Sequence, residues 1–170
     1  WKRSIEPYAF QLKKEVKEDT ISLPLCLKQT PKMTNESIKY SKKWLELGVE
    51  EIQLTNGVKL FVRPTLEEDS TLYLAVVGRG GTADLTTQRQ LKLHDAVSYV
   101  DMGGLSKVPS DTLLTVMTQQ QLSMTVGEDA YWHQLLASSP EKHATALLNL
   151  VYEKMCFPGI NHEDFAETIA

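Results

Sequence analysis

Four histidines, His94, His133, His143 and His162, are the side chains best suited to hold a metal or carry a proton near neutral pH in this 170-residue chain. Hydrolytic zinc needs about three protein ligands converging on one side of the ion, with a carboxylate near the bound water. A helix supplies two such ligands when they stand four residues apart, which is why HExxH and its inversion HxxEH recur. Around His94 that test fails. An inverted motif starting there wants glutamate at 97 and histidine at 98, but the chain has Val97 and Ser98. Valine cannot polarise water, and serine is a poor zinc ligand. His133 alternates with Tyr131 and Leu135 and reads as a partly buried structural histidine. His143 falls on the polar side of a helix. His162, Glu163 and Asp164 gather at a helix start, where acidic groups suit the helix dipole without a metal. The expected catalytic, cofactor-binding and metal-binding sets of this chain are therefore empty.

Covalent catalysis is no better supported. Ser138-Ser139 sits in a helix-capping context, no GxSxG exists, and Cys26 comes shortly after Pro24 with no histidine nearby in sequence. A triad assembled only by the fold stays open. The acidic groups Glu67-Glu68-Asp69 and Glu128-Asp129 occupy turns, where solvated charge explains them. Gly78, Gly80 and Gly81 stand between a strand and a helix, as phosphate-binding glycines do. However, GRGGTADL fits neither GxGxxG nor GxxxxGK[ST], so the glycines read as a tight exit from a buried strand. Cys26 and Cys156 lie far apart and show no metal spacing; they fit one disulfide or, more simply, two separate buried thiols.

Composition bounds the rest. Hydrophobic residues make up 42% and charged residues 24%, ordinary for one globular domain, or for one domain with an arm. A net charge of −4 and the absence of a basic stripe argue against nucleic acid as a partner. The dense run Lys13, Lys14, Lys17 alternates with Glu15, Glu18 and Asp19 and reads as a solvated helix face. No apolar segment approaches the ~20 residues that span a bilayer. The opening WKRSIEPY lacks a signal-peptide core, and starting at Trp1 suggests an excised fragment. The compartment stays open.

The elements that would position these residues begin with an arm, residues 1–48. Tyr8, Leu12 and Val16 suggest a helix over Glu6–Lys17; Pro24 and Pro31 interrupt regular structure after it; Asn35 is placed to cap a short helix ending near Gly48. From Glu50 the pattern tightens. EIQLT-NG-VKLFVRP reads as a hairpin with a type I′ turn at Asn56-Gly57, with Val58, Leu60 and Val62 on one face and Lys59, Phe61 and Arg63 on the other. TLYLAVVG is apolar on both faces and should be a central strand covered on both sides. Next comes a helix over Leu85–Asp101 with stripe Leu93, Ala96, Val97, Val100, then one opened by Pro109-Ser110 with Leu113, Leu114, Val116 and Met117 inward. QLSMTV should turn Leu122, Met124 and Val126 inward. Gly127-Glu128-Asp129 reads as a turn into AYWHQLLA. A capping box at Ser138–Glu141 should start a helix with Ala144, Leu147, Leu148, Val151, Tyr152 and Met155 inward. Asn161 should cap a last helix running to Ala170. The expectation is an α+β fold, one antiparallel or mixed sheet with helices mainly on one face, in the order β-β-β-α-α-β-β-α-α.

LTNGVKLFVRPT resembles the opening hairpin of a repeat in the pitrilysin/insulinase-type zinc metallopeptidases, and LAVVGRGG resembles the third strand and closing glycines. The likeness continues through AVSYVDMGGLSKVPSDTLLTVMTQQQLSMTV and ALLNLVYEKMCFPGINHEDF, and so covers residues 49–170. It implies an α/β repeat of a chambered peptidase, in which zinc belongs to a sister repeat carrying HxxEH. Val97 and Ser98 depart from that motif, so the resemblance implies a non-catalytic repeat without its own zinc, preceded by a connector (residues 1–48). Partners would be the other repeats and peptide substrates, and a bacterial parent would place it in the periplasm or cell envelope. Two alternatives stand beside it: an inactive scaffold or processing-complex subunit of the same fold, like the core subunits of respiratory complexes, and an independent peptide-binding module.

Overall fold

The computed structural model describes residues 23–24, 34–66 and 70–159. The expected helix over Glu6–Lys17, Cys26, the acidic turn Glu67–Asp69 and the helix after Asn161, with His162, Glu163 and Asp164, lie outside them. The fold is α+β, but the strands form two antiparallel three-stranded sheets rather than one. The first holds β1 (Ile38–Trp44), β2 (Val49–Leu54) and β3 (Lys59–Val62) in the order β1-β2-β3. The second is built from β4 (Thr71–Arg79), β5 (Ser123–Glu128) and β6 (Trp132–Pro140) in the order β4-β6-β5. It is accompanied by α1 (Thr87–Met102), α2 (Ser110–Gln119) and α3 (Ala144–Cys156).

The expected β2–β3 hairpin forms, with a different turn. Leu54 N–H donates to Val58 O (2.8 Å), and Gly57 N–H to Leu54 O (3.0 Å). Gly57 alone takes a positive φ there, 93°, while the Asn56 side chain accepts from Val58 N–H at 3.1 Å. One left-handed residue after the turn makes a bulged, longer loop, so Asn56 never needs the φ > 0 that a type I′ turn demands.

Upstream, the short helix expected from Asn35 to Gly48 is replaced by a single 3-10 turn, Asn35–Ser37, and strand β1. The cause is tertiary. Tyr40 and Trp44 of β1 both reach Glu51 of β2, an attraction that local spacing cannot reveal.

β4 is not central. Among the described residues it pairs only with β6, which occupies the middle of the sheet and also pairs with β5. Leu72, Leu74 and Val76 face the core, whereas Tyr73 and Val77 are 67% and 55% exposed. A strand apolar on both faces wants cover on both, and the described residues supply one.

The core lies between this sheet and the helices. β6 contributes Leu135 and Ala137, α2 Leu113, and α3 Leu147, Leu150 and Val151; the loop after α1 adds Leu105 and Val108. Leu122, Met124 and Val126 turn inward as their alternation predicts. Leu23, from the arm, also packs on this cluster. The α3 stripe is rotated from the expected one. Leu147, Leu150, Val151 and Lys154 are buried at i, i+3, i+4, i+7, while Leu148, Tyr152 and Met155 are exposed. Lys154 is what misleads: its stem fills a core position while its Nζ donates to Gly103 O (2.6 Å) and Asp101 O (3.3 Å), capping the C-terminal end of α1. Leu114 and Ala96 likewise point outward rather than in. The expected capping box also fails to form. β6 runs on to Pro140, and a 3-10 turn, Glu141–His143, leads into α3 with no side-chain cap.

Candidate functional site

The end of the second sheet where β4 exits gathers the chemistry-bearing residues. α1 packs over β5, which carries His94 to Glu128: His94 Nδ1 and Glu128 Oε1 are 3.0 Å apart. The Glu128 side chain is 7% exposed and that of His94 71%, so the carboxylate is the sheltered partner of a pair whose imidazole meets solvent. Glu128 belongs to β5 rather than to the expected turn. It stands directly opposite His133 of β6, so both point to the helix-covered side. His133 is exposed rather than partly buried, and its Nε2 accepts from Gly81 N–H at 3.2 Å. The turn itself is Asp129–Tyr131. Asp129 accepts from the N–H groups of Tyr131 (2.7 Å) and Trp132 (2.8 Å), a side-chain mimic of a backbone turn.

The glycine pair is a packing device here. A Cβ on Gly80 would run into the His133 ring, and one on Gly81 would stand 2.5 Å from Asp129 O; both glycines take positive φ. Any other residue at Gly81 would push the Asp129–Tyr131 turn off β4, and one at Gly80 would displace the exposed His133 ring.

Chemically, His94 and Glu128 form a pair able to orient and exchange a proton. Among the described residues no group of three His, Cys, Asp or Glu is placed to hold a metal. Val97 and Ser98 lie on α1 one turn beyond His94, so the helix offers a single imidazole at that face. His143 sits half-buried in the 3-10 turn before α3, not on the helix's polar side. Cys156 is a free, exposed thiol rather than a buried one. Tyr152 neighbours it, and the thiol, burial and Glu153 together raise the phenol above its usual range.

A second cluster, on the first sheet, has almost no signature in the sequence. Glu51 accepts from Tyr40 Oη (2.7 Å) and Trp44 Nε1 (3.1 Å), and Lys59 Nζ lies 3.7 Å away. Those two hydrogen bonds and Lys59 hold the carboxyl below its usual range, and the bond to Glu51 raises Tyr40. Lys42 stands 3.6 Å over the Trp44 ring. The only hint in sequence is the alternation Tyr40, Lys42, Trp44.

No helix among the described residues is long and apolar enough to cross a membrane. No protein-family model and no curated protein matches the chain. Solved structures do. A mutant of the ferredoxin protease FusC in complex with Arabidopsis ferredoxin superposes with a TM-score of 0.71 at 22% identity over 91% of this chain. The periplasmic protease PqqL from Escherichia coli gives 0.72 at 17% identity, again over 91%. A protease from Helicobacter pylori gives 0.59 at 12% identity over 70%. The chain spans 17% of each of the first two structures and 28% of the third. The likeness is one of fold.

Proposed function

We propose that this chain is a non-catalytic repeat of a pitrilysin/insulinase-type zinc peptidase, residues 49–170, preceded by a connector, residues 1–48. Its work is to complete a peptide chamber and pack against the repeat that carries the zinc. The observation behind this reading is the helix after the glycine pair: α1 presents His94 with Val97 and Ser98 where a metal-binding helix needs glutamate and histidine. The protease-like fold, present at about a sixth of those chains' length, supports a module of a larger enzyme. The arm joins that module physically, since β1 pairs with β2 and Leu23 packs on the core. Ferredoxin bound to one of the similar proteases makes a polypeptide ligand the natural choice.

Metal analysis of the purified chain, with a fluorogenic-peptide assay, tests the reading. The expected result is far less than one zinc per chain and no hydrolysis. One equivalent of zinc lost on His94→Ala would contradict it.

A further inference from the structure

At the exit of β4 an open cavity of about 570 Å³ is lined by Arg79, the glycine pair, Asp84, Tyr131 and Trp132. Arg79 and Trp132 are partners across β4 and β6, so their side chains leave the same face. That face is opposite the helices, because Leu74 and Val76, which alternate with it, pack on the core. Among the described residues the Arg79 side chain makes no hydrogen bond and no ion pair. Tyr131 and Trp132 remain 69% and 42% exposed. A guanidinium beside two open aromatic rings suits a planar anion that also brings an apolar group. Along the strand, the outer edge of β4 offers backbone groups that no described residue pairs, and Tyr73, Ala75 and Val77 stand on the outer face.

We propose that this cavity binds the C-terminal residue of an extended peptide: its α-carboxylate on Arg79, its side chain against Tyr131 and Trp132, and the preceding residues along β4. One terminal residue supplies carboxylate and apolar group together, which suits a cavity of this size better than an internal acid, whose neighbour would have to furnish the apolar part. Asp84, sharing the wall, disfavours acid-rich ligands. The inference takes from the proposed function only that the ligand is a peptide. Zinc and cleavage assays test that function and a peptide-binding assay tests the cavity, so either can fail alone.

The probe is a short fluorescein-labelled peptide of alternating valine and serine ending in phenylalanine, followed by anisotropy on the full chain. The free acid should bind about tenfold or more tighter than the C-terminal amide, the difference a charge-assisted bidentate contact provides. Arg79→Gln should erase the preference, Arg79→Lys should keep part of it, and Asp84→Asn, which takes a like charge from the wall, should widen it. Circular dichroism verifies that each variant is folded. Equal binding of acid and amide, no binding of the acid, a preference surviving Arg79→Gln, or equal binding of an amidated peptide with an internal aspartate would overturn the assignment.

Discussion

The two sheets share a strand count and an antiparallel pattern and differ in what holds them. The second is backed by helices, and together with them and their loops it owns every residue of the buried core cluster. Among the described residues the first contributes none to it. All of β3 is exposed, and Leu60, Phe61 and Val62 are open to solvent. In place of a core it has Glu51, ringed by Tyr40, Trp44 and Lys59. A three-stranded sheet without a buried face is marginal alone. The two sheets are thus held by different forces: one packs on its own helices, and the other is held by backbone pairing and polar contacts, with its apolar residues exposed among the described residues. The sheet edges differ as well. β5 is guarded, with Asp101 accepting from Val126 N–H at 2.5 Å, whereas β4 is open among the described residues.

Removing the same side-chain atoms near each sheet should have very different costs. Leu147→Ala removes a side chain with 0% exposure and should cost about 2–5 kcal/mol in chemical denaturation, as cavities in packed cores do. Leu60→Ala, in β3, should fall within about 0.5 kcal/mol, as surface changes do. Similar losses at both positions would mean that the first sheet has a core of its own.

Lys154→Ala should cost about 1–3 kcal/mol, because Gly103 O loses its donor inside the fold. Lys154→Met, which keeps the stem, should cost less. Burial lowers the amine's pKa, with Asp101 opposing. A base whose folded value is depressed strengthens the fold as pH rises from that value toward 10.5. Stability should therefore climb over the alkaline side in wild type more than in Lys154→Met.

Smaller effects belong to the first sheet. The Glu51 carboxyl is lowered by Tyr40, Trp44 and Lys59, so its contribution is present above its ordinary value of 4.5 and is lost as pH falls through the depressed folded value. Acid titration followed by the β1 and β2 amide resonances should show this loss in wild type, and Glu51→Gln should remove the pH dependence.

Much of this was legible in the residues. The β2–β3 hairpin, α1, α2 and the inward Leu122, Met124 and Val126 come from short-range periodicity, which needs only neighbours a few places away. The hidden features depend on distant partners. β1 is a strand because Glu51 lies opposite it, and Lys154 is buried because the end of α1 lacks donors. β4 reads as central because its two-sided apolarity describes cover that the described elements do not supply. At the candidate site, Val97 and Ser98 were plain in sequence. The approach of Glu128 to His94 was not, since they stand 34 residues apart and meet only through the packing of α1 on β5.

Amide hydrogen exchange on the intact chain, resolved strand by strand, tests the division most directly. β1, β2 and β3 should exchange through local opening, well before β6, whose amides should require global unfolding. Equal protection of β2 and β6 would contradict it.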